Sequence, residues 1–244
     1  RAQIAAVEAR DVPVASGKGE EIFELRPDLE EDVWRSYEDA QKSLIIDMPS
    51  EFVARFPDAL ELRSTAGSRD VHNLEPKRGE RLDSFSRAAL EELRRSWKTE
   101  IPEVVLMISD GLNARAVMDP GHLSPFLVAV RNELEHEGVS VAKRPVFLHH
   151  GRVRAGYSVA KTLFGEPTSS SRRALVHFIG ERPGTPHQNA SVYLTDTTGE
   201  HWASGRVDHD DTRVVSGISD SALDPERAAS VVVQLLRTLR ASVH

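Results

Sequence analysis

The chain has 244 residues, 39% hydrophobic and 28% charged, a composition typical of a globular protein with one large domain, or one domain plus a smaller one. The absence of cysteine excludes disulfides, thiolate nucleophiles and cysteine-ligated metal sites, and no apolar run approaches the roughly 20 residues of a membrane span. The net charge of −7 lies in the first 63 residues and there is no basic stripe, so we expect neither nucleic acid nor a membrane as a partner.

The first 99 residues predict a tail and a helical region. Residues 1–20 are small and polar, which predicts a flexible tail. Residues 21–99 predict an acidic, helical N-terminal region, in which EEDVWRSYEDAQKSL is one helix. A second helix is predicted within GERLDSFSRAALEELRRSW. Its apolar stripe, spaced at three and four residues, consists of Leu82, Phe85, Ala89 and Leu93.

From residue 101 onward, the sequence alternates between strand and helix patterns. The predicted strands are Val104–Ile108, Pro145–Leu148, Ala174–Ile179, Ser191–Thr195 at an edge, and a short one that begins at Val214. Helices are predicted between them. One is capped by Ser124 and closed by Gly138, one spans Tyr157–Phe164 and ends at Gly165, and one begins at Asp224 and buries Ala228, Val232, Leu235, Leu236 and Leu239.

This alternation predicts the fold class. We expect residues 100–244 to form a flavodoxin- or Rossmann-like α/β domain, with a mostly parallel sheet and helices on both faces. The small helical region would precede it.

Turns that contain glycine and polar residues follow four of the predicted strands. They are Ser109-Asp110-Gly111, His149-His150-Gly151-Arg152-Val153, Gly180-Glu181-Arg182-Pro183-Gly184 and Ser216-Gly217-Ile218-Ser219-Asp220. Ligands of open parallel sheets bind outside the carboxyl ends of the strands, so these turns predict a ligand crevice. The alternative for any single turn is that such connections simply favour glycine.

Two missing phosphate-binding motifs and one carboxylate limit the kinds of ligand that the crevice would bind. Neither GxGxxG nor GxxxxGK[ST] is present, so the usual dinucleotide and triphosphate cradles are missing. Glu181 would suit a ligand rich in N–H or O–H donors. Equally, it could pair with Arg182 or Arg152.

Several motifs together resemble one family. SDGLNARAV, PVFLHHGRV, IGERPGTPHQNASVYLT and VVSGIS, in this order, resemble the small subunit of ethanolamine ammonia-lyase, and SRD at 68–70 with RGERL at 78–82 resembles its upstream element. The resemblance covers residues 64–243. Val214 stands where this family has a cysteine and Gly217 where it has an asparagine, so the chain resembles a divergent member.

The resemblance implies a function and a cofactor. This family's enzyme uses adenosylcobalamin to convert ethanolamine to acetaldehyde and ammonia through an adenosyl radical. A large (β/α)8-barrel subunit holds the substrate and the radical chemistry, and the small subunit closes the other face of the corrin. Residues 100–244 would thus be a cobalamin-covering domain without catalytic residues, in a hetero-oligomer in the cytoplasm or inside a bacterial microcompartment.

The resemblance also implies site residues. Matched motif to motif, the cobalamin contacts fall on Val153, Glu181 and Val214. The position of the first turn at the end of its strand adds Ser109, Asp110 and Gly111, which we expect near the lower face of the cofactor.

Two other functions stay open on the residues alone. One is a stand-alone α/β protein that binds a nucleotide or a flavin and shares only the fold. The other is a regulatory homologue that has lost the cofactor, for which Val214 is the hint.

Three histidine patterns are weighed and set aside. His72, in DVHNLE, half matches a cobalt-ligating DxHxxG loop but lacks the glycine and the preceding strand. His209 lies among aspartates and could bind a metal, although a solvated acidic loop is the simpler interpretation. His149 and His150 would point to opposite faces of a strand and so could not act as a pair there.

Overall fold

A computed structural model describes residues 6–7, 9–10, 25, 27–98, 100–184 and 188–241. The predicted flexible tail, residues 1–20, lies outside the described residues apart from 6–7 and 9–10. In the described part of the chain, no helix combines the length and the apolar character needed to cross a membrane.

One six-stranded sheet organises the chain, with the strand order β1-β3-β2-β4-β5-β6. The strands are β1 (Leu60–Arg63), β2 (Val104–Ser109), β3 (Val146–His149), β4 (Arg172–Gly180), β5 (Ala190–Thr198) and β6 (Thr212–Ile218). The first four of the spatial order run parallel, whereas β5 is antiparallel to both of its neighbours. The sheet is therefore mixed but mostly parallel, and the predicted α/β class is confirmed.

Helices cover both faces of this sheet. In chain order they are α1 (Pro27–Ser43), α2 (Ser50–Val53), α3 (Arg69–Leu74), α4 (Ser84–Ser96), α5 (Ala114–Met118), α6 (Leu123–His136), α7 (Val153–Phe164), α8 (Gly199–Ser204) and α9 (Pro225–Ala241). Two clusters of buried hydrophobic residues lie between the sheet and these helices. One packs α2, α5, α6 and α9 on one face of the sheet, and the other packs α4, α7 and α8 on the opposite face.

The central strand β2 shows why the sheet is sandwiched. All six of its residues are buried, and the five apolar ones alternate between the two clusters: Leu106 belongs to the first and Met107 to the second. A strand buried on both faces has no polar side, which is the pattern of a parallel strand covered by helices.

The strand predictions needed two corrections. Residues 191–195 were predicted at an edge, but they lie inside β5, which is paired on both sides, and β6 forms the edge instead. In addition, β1 lies within the stretch for which only helix was predicted, and it pairs in parallel with β3. Four residues with alternating burial are too short a signal to stand out in an acidic segment.

The helix predictions were closer, with shifted ends. In the predicted stripe of α4, Phe85 is wrong: it is 86% exposed, and Leu90 occupies the buried position. The predicted cap at Ser124 is also wrong, because α6 already begins at Leu123. Asp83 caps α4 by accepting a hydrogen bond from the Ser86 amide.

Candidate functional site

The carboxyl ends of β2 and β4 meet at the point where the chain changes direction across the sheet. From β2 the chain crosses to β3 on one side, and it then returns to β4 on the other side of β2. Such a switch point opens a crevice above the two neighbouring strand ends. We call the loops that follow β2, β3 and β4, with the first turn of α7, the rim.

The glycines of the rim allow two loops to touch each other. A Cβ atom on Gly111, whose φ is +54°, would lie 2.1 Å from the carbonyl oxygen of Gly180. A Cβ on Gly180 would lie 2.0 Å from the carbonyl oxygen of Asn113. The loops after β2 and β4 are therefore joined backbone to backbone, and the amide of Leu112 donates to Gly180 across this contact at 3.0 Å.

A small cavity of about 260 Å³ opens at the switch point. Its lining includes Gly111, Leu112, Val153, Ile179, Glu181 and Tyr193. We call it the rim cavity. Three of the predicted site residues, Gly111, Val153 and Glu181, are thus brought together, although the sequence separates them by up to 70 positions.

Glu181 is held by the neighbouring strand. The hydroxyl of Tyr193 donates to its carboxylate at 3.1 Å, and its amide donates to Asn189. Burial, reinforced by the charge of Glu181, raises the pKa of Tyr193 to about 12, so this hydroxyl stays protonated and keeps donating. One edge of the Glu181 carboxylate is therefore fixed, and the side chain is only half-buried.

Val214 lies on β6, the strand next to β5, on the face of the sheet that carries Tyr193. It stands opposite Tyr193 in the pairing of β5 with β6 and is 48% exposed. Through Tyr193 it is level with His177 of β4, three residues before that strand ends at Gly180, so Val214 lies beside the sheet below the rim. Val214 does not itself line the rim cavity.

Asp110 is the first residue of the rim loop after β2, and its buried side chain is fully occupied by protein groups. It is completely buried and accepts hydrogen bonds from Arg69 at 2.7 Å, from the amide of His150 at 3.0 Å and from the amide of Gly151 at 3.2 Å. Arg69 is itself 4% exposed and also donates to the carbonyl of Gly111 at 2.7 Å. This ion pair ties three loops together. The contact between Asp110 and a ligand stays a prediction.

Ser109 is likewise turned into the protein. Its hydroxyl shares a hydrogen bond of 2.7 Å with Nε2 of His177, and both residues are buried. Neither lines the rim cavity, so their described contacts support the rim from below.

His150 and His72 complete this support. His150 adopts a left-handed backbone with φ of +53° and binds Asp47 through Nε2 at 2.8 Å. Nδ1 of His72 donates to the carbonyl of His150 at 2.9 Å. His149 turns elsewhere and contacts Glu61 at 2.8 Å. The left-handed residue thus turns the chain out of β3 and into the first turn of α7.

The acidic loop around His209 is occupied by protein partners. Asp208 binds Arg154 through two hydrogen bonds and caps a short 3-10 helix, and Asp211 contacts His201 at 3.2 Å. His209 lies edge-on to Tyr157 and Tyr193. Among the described residues there is no group of three or more side chains arranged to hold a metal ion.

The fourth predicted turn lies apart from the other three. Ser219 and Asp220 line a separate cavity of about 240 Å³ together with Asp119 and His122. Although β6 runs in the same direction as β4, the antiparallel strand β5 stands between them. The rim is therefore made by three turns rather than four.

A larger cavity of about 650 Å³ adjoins the rim cavity. It lies between α1 and the loop that begins with Glu181, and Leu112 and Arg152 line both cavities. We call it the α1 cavity. It could not be predicted from the sequence, because the helix predicted at α1 could not be placed relative to the sheet.

The buried histidines predict a pH dependence of stability. Burial lowers the pKa of His72 to about 4 and that of His177 to about 3, below the ordinary value of 6.5. The unfolded chain therefore takes up these protons first as the pH falls below about 6.5, and acid favours unfolding. We expect each histidine to lower the free energy of unfolding by about 2 kcal/mol between pH 7 and pH 5.

Urea denaturation of the full chain at the two pH values measures this effect. Substituting His72→Gln should remove part of the difference, whereas His136→Gln, at the exposed end of α6, should leave it intact. Equal stability of the wild-type chain at both pH values would contradict the prediction.

Comparison with known proteins gives one family. The family model described as ethanolamine ammonia-lyase light chain (EutC) matches residues 8–243, nearly the whole chain. No curated protein matches the chain.

Proposed function

Because the chain belongs to the ethanolamine ammonia-lyase light chain family, we propose that it is the cofactor-binding subunit of an adenosylcobalamin-dependent enzyme that converts ethanolamine to acetaldehyde and ammonia. The observation that carries the proposal is the convergence of Val153 and Glu181 on the rim cavity, with Val214 on the neighbouring edge of the same face. These are the three positions that the family resemblance implies as cofactor contacts.

The rim has the chemistry that a corrin requires. A corrin is a flat ring whose amide side chains both donate and accept hydrogen bonds. Val153, Leu112 and Ile179 offer apolar surface, while the oriented carboxylate of Glu181 accepts from N–H groups. We propose that Gly111 contacts the cofactor here and that Ser109 and Asp110 shape the rim beneath it.

The division of labour follows from these side chains. When bound, the cofactor supplies the radical chemistry, and the chain supplies binding and orientation. Glu181 would fix the rotation of the ring by accepting from its amides, and Val153 and Val214 would exclude water from its covered face. We place no acid–base or radical-handling residue in this chain.

We further propose the setting in which the chain works. A light chain implies a larger partner chain, and we propose a (β/α)8 barrel that holds the substrate and covers the other face of the cofactor. The complex would act in the cytoplasm or inside a bacterial microcompartment that serves ethanolamine catabolism.

Glu181→Ala tests the proposal in the co-expressed complex with the large chain. We expect cobalamin to bind about 10–100-fold more weakly, because a hydrogen bond to a charged group contributes about 1.5–3 kcal/mol. Spectroscopic titration with cobalamin measures the change in affinity. Glu181→Gln should bind cobalamin with an affinity between those of the wild type and Glu181→Ala.

A matched variant and three outcomes make the result decisive. Glu200→Ala, in the exposed first turn of α8, should bind cobalamin like the wild type. A wild-type complex without cobalamin affinity would overturn the function. So would a chain that carries a flavin by itself, which is the signature of a stand-alone protein. Unchanged binding by Glu181→Ala would remove Glu181 alone from the site.

A further inference from the structure

The cavity of about 240 Å³ that lies apart from the rim has an acidic lining. It opens between the first residues of α6 and α9, where Asp119 precedes α6 and Asp220 and Asp224 belong to the loop that joins β6 to α9. Among the residues that the structure describes, no lysine or arginine lines it. We call it the aspartate cavity. Carboxylates at helix starts commonly serve as caps, so the other groups in its wall decide what it can bind.

A buried histidine in this wall has an unused ring nitrogen. His122 is 3% exposed, and its Nδ1 donates to the carbonyl of Ala116 at 3.0 Å. A carbonyl can only accept, so Nδ1 carries the proton of the neutral ring and Nε2 is left as an acceptor. No donor in the described part of the chain reaches Nε2, although the side chain lines the cavity. An acceptor that is fixed in this way favours a ligand that brings an N–H or O–H group.

The two carboxylates nearest the helix starts each use only one oxygen. Oδ1 of Asp119 accepts from the amide of Gly121 at 2.9 Å, and Oδ1 of Asp224 accepts from the amide of Arg227 at 3.0 Å. The second oxygen of each forms no hydrogen bond to another described residue. These local bonds hold both side chains in place, so two further acceptors are fixed at the same cavity. A primary ammonium carries three N–H donors, as many as these three acceptors can receive.

The balance of charge at the cavity favours a cation. α6 and α9 both begin here, and the amino end of each helix carries about half a positive charge. The three aspartates carry full negative charges, which exceed these two partial positive ones. A cationic side chain already lies at the edge of the cavity: Arg10, which is 211 residues away in the sequence, donates to the carbonyl of Ser221. The balance stays negative with this guanidinium included.

The cavity suits an organic cation better than a metal ion. A metal ion needs three or more ligand atoms within roughly 2.0–2.6 Å of one point, and the side chains in the described ranges form no such group. Hydrogen bonds to an ammonium are longer, about 2.7–3.2 Å, so its acceptors can stand further apart. A single water needs only about 10–15 Å³ of such space, so a small organic ion fits here together with water molecules.

We propose that the aspartate cavity binds a small primary ammonium ion, which donates to Nε2 of His122 and to the unused oxygens of Asp119 and Asp224. Asp220 adds negative charge beside them. The ligand class is a short-chain primary amine in its protonated form. Ethanolamine belongs to this class, but the inference does not rest on the proposed function, because binding here needs neither the cofactor nor the large chain.

NMR titration of the full chain with methylammonium tests the site. Methylammonium brings one positive charge and three N–H donors, whereas tetramethylammonium brings the same charge and no donor. At constant ionic strength, we expect methylammonium to bind with a Kd on the order of 1 mM and to shift the ring signals of His122. Tetramethylammonium should bind at least about tenfold more weakly, because it cannot donate to the three acceptors.

Three variants remove the acceptors one at a time. Asp119→Asn and Asp224→Asn keep an oxygen for the capped amide but lose the charge, and each should weaken methylammonium binding about fivefold or more. His122→Asn keeps a nitrogen donor for Ala116 but has no group in place of Nε2, and it should weaken binding to a similar degree. Asp70→Asn, on the exposed side of α3, removes the same charge and should leave the affinity unchanged.

The results that would overturn the inference are distinct. No saturable shift, or unchanged affinity in all three variants, would mean that these side chains bind no ammonium. Equal binding of the two ammonium ions would mean that the cavity attracts cations by its charge alone. Binding of Ca²⁺ in preference to methylammonium would make it a metal site. Methylammonium binding that appears only in Arg10→Gln would mean that the chain's own guanidinium occupies the cavity.

None of these results bears on the proposed function, since the titrations use the chain without a cofactor.

Discussion

Replacing Asp110 by alanine is expected to lower the free energy of unfolding by about 3–5 kcal/mol, because the buried guanidinium of Arg69 loses its closer, fully buried counter-charge. It keeps the exposed carboxylate of Asp47, 3.6 Å from Nε. Arg69 is 4% exposed and is the first residue of α3. The amides of His150 and Gly151 would lose their acceptor at the same time. Urea unfolding of the full chain measures the loss.

An exposed ion pair on α1 serves as the control for the buried pair of Asp110 and Arg69. Arg35 and Asp32 pair at 3.1 Å on α1, with side chains that are 67% and 50% exposed. Asp32→Ala should change the free energy of unfolding by less than about 1 kcal/mol, since water replaces the lost contact. If Asp110→Ala were as mild as Asp32→Ala, Arg69 would have found another partner, and the ion pair would not be what holds the rim.

Replacing Gly180 by alanine is expected to cost about 3 kcal/mol and to weaken cobalamin binding by the complex. The new methyl group would lie 2.0 Å from the carbonyl oxygen of Asn113 and 2.7 Å from that of Asp110. Both obstacles are backbone atoms of the loop after β2, so that loop must shift as a whole. The shift would widen the contact that brings Gly111 and Glu181 to one cavity. Denaturation of the full chain and cobalamin titration of the complex measure the two effects.

Gly184 provides the control in the same loop. A Cβ on Gly184 would meet nothing within 4 Å, so Gly184→Ala should leave the stability within about 0.5 kcal/mol of the wild type. Similar values for the two variants would mean that the loops separate without cost. The close approach of Gly111 and Gly180 would then not be required for the fold.

The carboxyl-terminal two thirds of the fold could be predicted because its signals are local. β2, β3 and the central part of β4 are apolar and bounded by turns, and the helices between them end close to the glycines that predict their ends, Gly138 and Gly165. The first residues of these helices carried no such signal. The edge position of residues 191–195 could not be judged in this way. These residues lie inside the sheet because β5 also pairs with β6, and the sequence of neither segment predicts that pairing.

The residues of the candidate site could likewise be predicted only where their signals are local. Gly111, Val153 and Glu181 could be named because they follow strands or match family motifs, and parallel strands end at one edge of a sheet. The partner of Asp110 could not be foreseen, since Arg69 lies 41 residues away in a region predicted only as helical. The glycines were interpreted as room for a ligand, whereas Gly111 and Gly180 make room for each other.

The two edge strands of the sheet affect how readily the chain aggregates before it meets a partner. An unpaired strand edge can recruit another copy of itself and start aggregation. Here one edge is β1, only four residues long, whose outward side chains are the paired charges Glu61 and Arg63. The other edge, β6, has an irregular register against β5 and presents Arg213 to solvent. Both edges are therefore poor templates for polymerisation.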